Sequence, residues 1–212
     1  MKLQLLKNIL LSSFVLVSFA AHSQESSKKT TAKKVTVNTT ESLVNWLGKK
    51  PGGEHNGFVK LSEGTIQLAG NEIAGGSFVI DMNSIVNLDL KDDGMNQRLV
   101  GHLKSSDFFE VEKYPVANFV ITKVSRLKST TSTALKVTHR IEGNLTIKGI
   151  TKSIVFDANV SNAGGKLLAT TESFVIDRTL WNVNYQSKSI FAELKDQFIN
   201  DDITLSVKLA AN

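Results

Sequence analysis

The sequence predicts an all-β fold, a closed antiparallel barrel of roughly eight strands, on three observations. Hydrophobicity alternates with period 2 from Val35 to the end of the chain, the mark of strands with one buried and one wet face. Turn clusters separate the alternating runs: Pro51-Gly52-Gly53, Ala69-Gly70-Asn71, Lys148-Gly149-Ile150-Thr151 and Ala163-Gly164-Gly165. No long helical pattern lies between consecutive runs, which argues against a parallel βαβ sheet and for short antiparallel connections.

The N-terminus comes first. Lys2 and Lys7 precede an apolar run from Ile9 to Ala21, and Ala21 and Ser23 set small residues before a cut at Gln24. Residues 1–23 therefore read as a cleaved secretory signal peptide. The competing reading is a membrane anchor. Ser12, Ser13 and Ser18 interrupt the run, which is short for a span of about 20 residues. Residues 24–34 are polar and aperiodic and read as a flexible basic leader. Its lysines can touch an anionic membrane surface or simply be solvated. Residues 35–212 form the one folded domain, long enough for a self-sufficient core.

Within that domain the strand candidates are, in order, Val35–Thr39, Leu43–Leu47, Asn56–Leu68, Glu72–Asp81, Ala117–Val124, Val137–Lys148, Ser153–Val160, Lys166–Ile176 and Ile203–Leu209. The clearest is Val137, His139, Ile141, Gly143, Leu145 and Ile147, alternating with Thr138, Arg140, Glu142, Asn144, Thr146 and Lys148. A helix is expected near 92–103, where Asp92-Asp93 can cap and Met95, Leu99 and Leu103 recur at spacing four. Shorter helical turns are expected at Asp107–Glu110 and Ala192–Phe198. A long twisted sheet of this size closes on itself, and its interior is filled by side chains or left open for one small ligand. The polar alternate positions face water, opposite to the apolar exterior of an outer-membrane barrel.

Charge and motifs narrow the function. The net charge is +5 with acids and bases interspersed, and two of those charges leave with Lys2 and Lys7. No basic face with interleaved aromatics appears, so nucleic acid is not an expected partner. The chain has no Cys, hence no thiol nucleophile and no disulfide. There is no Gly-x-Ser-x-Gly elbow and no dinucleotide or Walker glycine motif. The four His, at 22, 55, 102 and 139, lack metal-ligand spacing. No catalytic residue, required cofactor or metal site is expected.

Three clusters can carry binding. Gly53-Glu54-His55-Asn56-Gly57-Phe58 puts His55 where a strand begins, to meet a ligand oxygen or bridge to a neighbouring strand. Gly101-His102-Leu103-Lys104-Ser105-Ser106-Asp107-Phe108-Phe109 joins polar groups to an exposed-looking aromatic pair, as at the mouth of a cavity for an amphiphile. There His102 sits at a helix C-terminus, Lys104 can pair with an anionic or polar head, and Asp107 is expected to cap the following turn. Phe174-Val175-Ile176-Asp177-Arg178-Thr179-Leu180-Trp181 offers Arg178 to a phosphate or carbonyl oxygen or to a local acid, and Trp181 as a plug for one barrel end. Trp46, Phe58, Phe78 and Phe119 sit in strands and line a lumen or fill a core.

These motifs, in this order, resemble the YceI-like family of lipid/polyisoprenoid-binding proteins. So do Gly-Gly-Ser-Phe-Val-Ile-Asp-Met at 75–82, Tyr-Pro-Val-Ala-Asn-Phe at 114–119, Gly-Asn-Leu-Thr-Ile-Lys-Gly-Ile-Thr-Lys at 143–152 and Asp-Asp-Ile-Thr-Leu at 201–205. The resemblance covers residues 35–210. It implies an eight-stranded antiparallel lipocalin-like barrel with one or two short helices near its opening. It also implies a periplasmic or secreted carrier of long isoprenoid chains, including isoprenoid quinones. Head-side candidates are then His55, His102, Lys104 and Arg178; tail-side candidates are Trp46, Phe58, Phe78 and Phe119. The other expectation is a filled barrel that acts in envelope stress or interaction without a small ligand. The chain departs from the family pattern at Leu180, where many relatives carry an acid, and at Asn182, where Gly is common.

Overall fold

The computed structural model describes residues 32–128 and 136–212. The expected signal peptide and residues 24–31 of the expected leader lie outside them. The described strands are β1 (Lys33–Thr36), β2 (Leu43–Lys50), β3 (Gly53–Ala69), β4 (Glu72–Asn87), β5 (Val116–Arg126), β6 (His139–Ile147), β7 (Ile150–Ala163), β8 (Lys166–Thr171), β9 (Phe174–Asp177) and β10 (Asp202–Ala211). One α-helix, α1 (Asp93–Lys104), links β4 to β5, and short 3-10 helices cover Arg178–Trp181 and Ala192–Leu194. β1 begins two residues inside the expected leader.

Every strand pairing is antiparallel. The order β3-β2-β10-β8-β7-β6-β5-β4 closes through a β3–β4 pairing, giving an eight-stranded barrel. β1 and β9 extend it. β1 continues along β3 below β2, and β9 continues along β10 beyond β8. The expected single strand Lys166–Ile176 is thus two strands with a break at Glu172-Ser173.

Both breaks flank β10, and a hydroxyl repairs each. At the kink between β1 and β2, Ser42 Oγ accepts from the Ala210 N–H at 3.0 Å and donates to the Asn38 carbonyl at 2.7 Å. At the break after β8, Thr171 Oγ1 accepts from the Val207 N–H at 2.9 Å. Each hydroxyl satisfies a backbone donor that an uninterrupted ladder would have paired.

The alternation read in the sequence holds where it was clearest. On β6, His139, Ile141, Gly143 and Leu145 are buried, whereas Arg140 and Asn144 are exposed. Ile147, at the mouth, is half-buried. The core gathers residues from nearly every strand, including Val35, Leu61, Ile66, Phe78, Phe119 and Leu209.

The α1 caps follow the sequence. The Asp92 side chain accepts from the Met95 N–H at 2.8 Å. Ser105 closes the other end, its Oγ–H donating to the His102 carbonyl at 2.8 Å. No residue of α1 is fully buried. The helix is held instead by Asn96, whose side-chain amide donates to the Asn87 and Leu90 carbonyls at the end of β4. It covers the barrel mouth as a partly packed cap. The turn expected at Asp107–Glu110 is present, and the Ala192–Phe198 expectation reduces to the short 3-10 helix.

Candidate ligand-binding lumen

The barrel encloses two adjoining chambers. The outer chamber, at the α1 end, has a volume of about 370 Å³. The inner chamber, between the strands, has about 120 Å³. Val44, Ile80, Leu145 and Leu205 border both and form the neck between them. These four come from β2, β4, β6 and β10, so the neck is drawn from strands all round the barrel.

The inner chamber is built from the period-2 pattern alone. Its wall carries an arc of phenylalanine rings. Phe78 on β4 stacks with Phe119 on β5 at 6.2 Å between centroids. Phe119 meets Phe156 on β7 at 5.6 Å, and Phe156 stacks with Phe174 on β9 at 4.6 Å. The arc bridges β6 because Gly143 stands there: a Cβ at that position would lie 2.3 Å from the Phe119 ring. The absence of a side chain on one strand is what lets two rings meet across it. Phe78 and Phe119, two of the tail-side candidates, both line this chamber.

The outer chamber combines strands, loops and α1. Trp46 on β2 lies in its wall, opposite Gly57 on β3, where an added Cβ would sit 2.7 Å from the indole. The buried Trp46 Nε1 has no hydrogen-bond partner. That packing corrects the expectation for Phe58. The inward positions of β3 are taken by Gly57 and Val59, so Phe58 points to the outer face and lines neither chamber. A run of phenylalanines in strands does not reveal parity, and here the indole occupies the space that an inward Phe would need.

His55 opens β3 at the chamber wall. Its Nδ1 donates to Asp89 Oδ2 at 2.8 Å. Asp89 Oδ1 accepts from the Asn56 N–H at 2.8 Å and from the Asn87 amide. Burial pushes the Asp89 carboxyl up, but these donors and His55 outweigh it and hold the group below its ordinary value. A carboxylate that only accepts fixes the proton on Nδ1 and leaves Nε2 as an acceptor in the neutral ring.

His102, in the last turn of α1, also lines the outer chamber. Its ring meets Phe108 edge-on at 4.9 Å and Tyr185 at 4.6 Å. Its Nε2 lies 3.1 Å from Asp107. The Asp107 carboxylate thus pairs with His102 rather than capping the turn; Ser105 Oγ accepts the Asp107 N–H instead. The aromatic pair expected to be exposed is not. Phe108 is buried and Phe109 half-buried, both in the chamber wall. Lys104, two residues after His102, lines neither chamber, which corrects its place in the head-side set. On α1 the chamber is lined by Leu99, His102 and Leu103, the positions i, i+3 and i+4 that share one face, and Lys104 lies off that face.

Arg178 lies at the chamber with 2% exposure. Its guanidinium donates to the carbonyls of Asn200, Val183 and Ile199, and stands 3.6 Å from Asp201. Burial lowers its pKa, opposed by the charges of Asp201 and Asp177. The residue staples the segment 183–201 to the barrel, with few donors left for a ligand. Asp177 caps the 3-10 helix that follows, accepting from the Thr179 N–H at 2.9 Å. Trp181 then seats in the outer chamber wall, 1% exposed, its Nε1–H donating to the Leu145 carbonyl. Asn182 ends that helix at φ 56°, a left-handed conformation that Asn tolerates and Gly favours. The departure at 182 therefore preserves the turn.

Besides Asp89, two residues were not singled out as part of the site in the sequence. Tyr185 completes the aromatic cluster with His102 and Phe108. Lys148, in the β6–β7 turn, donates to the Phe108 and Asn182 carbonyls at 3.0 and 3.2 Å and ties two mouth loops together.

Known proteins share this architecture and parts of this sequence. BcnA of Burkholderia cenocepacia superposes with a TM-score of 0.61 at 20% identity, covering 83% of this chain and 99% of that one. A polyisoprenoid binding domain from Saccharophagus degradans, implicated in plant cell wall breakdown, gives 0.57 at 14% identity, with coverages of 84% and 97%. At these identities the likeness is one of fold. In sequence, a UPF0312 protein of Pseudomonas putida strain W619 is 43% identical over 63 residues, and one of Photorhabdus laumondii 33%. Those stretches span 30% of this chain and only 29% of the relatives' length. The YceI-like domain matches residues 30–211, nearly all of the described barrel. The chain belongs to the YceI-like domain family.

Proposed function

We propose that the protein is an exported, non-enzymatic carrier that holds a long-chain amphiphile of the polyisoprenoid or isoprenoid-quinone type in its lumen. The observation that carries this reading is the pair of apolar chambers joined end to end inside a closed barrel. The polyisoprenoid binding domain with the same fold supports the choice of guest. The signal-like layout of residues 1–23 supports export to the periplasm or beyond.

Affinity would come mainly from the tail. Each buried methylene contributes about 0.8 kcal/mol. A few isoprene units therefore offset an association cost of roughly 4–15 kcal/mol. His55 and His102 stand at the outer chamber, where a head group would rest, and Trp46, Phe78 and Phe119 along the path of the tail. No cofactor or metal is needed for this function. The reading of a filled barrel without a ligand is disfavoured by the empty volume of the outer chamber.

The test is a lipid extract of the protein purified from its native host, read by mass spectrometry. A co-purifying prenyl lipid or isoprenoid quinone is expected. A clean extract, together with no uptake of added quinone or polyprenol, would overturn the proposal.

A further inference from the structure

The lumen has a floor, and its position sets a limit on the guest. Below the phenylalanine arc the barrel is closed by its own side chains. Ile66, Leu167 and Ala211 are at most 2% exposed. Val37 packs directly on the β3 backbone there: a Cβ on Gly64 would lie 2.7 Å from it. Strand β1 occupies the side of β3 left free where β2 turns away, and Val37 bridges across to Ala211. The cavity beyond this floor shares Ile73 and Val160 with the inner chamber but is lined mainly by Asn71, Glu72, Arg126, His139 and Asn162, so a chain entering from the α1 end finds no further apolar space at the other.

We infer that this floor limits the buried length of the tail to about four isoprene units, and that the inner chamber is the gauge. This rests on the carrier reading above and deepens it. An apolar cavity of ~150 Å³ holds one benzene ring, or ~25 Å³ per carbon. By that measure the outer chamber takes about fifteen carbons and the inner about five. The inner chamber thus holds a single terminal isoprene unit, against Phe156 and Phe119. Carbons beyond that number have no apolar volume to enter and remain in water, where they add little.

Ala169 on β8 faces the inner chamber. Ala169→Leu places three more carbons in that space and moves the floor up by about one isoprene unit. Phe156→Ala removes a ring and moves it down by about one.

The experiment is a competition titration with geraniol, farnesol, geranylgeraniol and solanesol, against wild type and both variants. Thermal melts establish that each variant is folded. For wild type, affinity rises at least tenfold for each unit added up to geranylgeraniol. Solanesol then binds no more than about threefold tighter. With Ala169→Leu the plateau begins at farnesol. With Phe156→Ala the gain continues beyond geranylgeraniol. Affinity that climbs steadily to solanesol, or a cut-off unmoved in the folded variants, overturns the gauge and leaves the carrier reading standing. Should Ala169→Leu fail to fold, the wild-type profile and Phe156→Ala decide. Binding of none of the four alcohols by wild type overturns the carrier reading, and the gauge with it.

Discussion

The two chambers are made in different ways. The inner one is lined by strand residues whose alternation is local and regular, and nearly all are apolar. The outer one is assembled from β2 to β6, α1, the Phe108-Phe109 turn and the segment 176–205, and it carries all of the titratable groups. Three of its polar side chains are held by a carboxylate or by backbone carbonyls: His55 by Asp89, His102 by Asp107 and Arg178 by three carbonyls. The inner chamber is therefore stabilised by packing and fails by cavity, clash or buried charge. The outer chamber is stabilised by hydrogen-bond networks and fails when one member leaves the rest unpaired.

The largest expected difference comes from a charge in the inner chamber. Phe119→Asp sets a carboxylate among the rings and costs several kcal/mol in stability and in tail binding. His102→Ala at the outer chamber costs far less uptake. Titration of a prenyl alcohol into both, with melts to establish folding, checks the order, and the reverse order would break the contrast. Next comes Arg178→Met. It orphans three carbonyls and Asp201 and is expected to cost about 3–5 kcal/mol in denaturant unfolding. Lys in the same place does not restore it, because a single ammonium cannot reproduce the fork.

Smaller still is Gly143→Ala, whose methyl meets the Phe119 ring and the Val120 carbonyl. Its expected cost is about 1–3 kcal/mol, with a shifted ring that lowers tail affinity. The smallest effect is on pH. Asp89 has a folded-state pKa below its ordinary value. Its stabilisation is complete above the ordinary carboxylate range and is lost as pH falls through that range toward the lowered value. Melting temperature against pH should fall less steeply on the acid side for Asp89→Asn than for wild type. An identical slope would remove Asp89 from the account of the mouth.

This division also explains what the sequence made legible. The parity of β6 could be read because polar and apolar residues alternate strictly from His139 to Ile147. The closed barrel followed from the number of such runs and the short turns between them. Phe58 was misplaced because its run contains bulges and two glycines, and the residue that excludes it, Trp46, lies on another strand. The break between β8 and β9 was read through although Thr170, Thr171, Glu172 and Ser173 are all polar, and the inward positions shift across it from Ala169 and Thr171 to Phe174 and Ile176. Asp89 and Tyr185 were missed for a different reason. Each matters through a partner distant in the chain, 34 residues away for Asp89, and no local period marks such a pair. Lys104 was overvalued because its neighbours in sequence are at the mouth, while its own helical position is not.

The central claim is that a prenyl tail lies inside the barrel, against the outer chamber's wall. Both tryptophans of the chain, Trp46 and Trp181, line that chamber. A short-tailed isoprenoid quinone, which quenches indole fluorescence on contact, should therefore extinguish most of the intrinsic emission, saturably and at one equivalent. Quenching no stronger than for free tryptophan at the same quinone concentration would contradict the account.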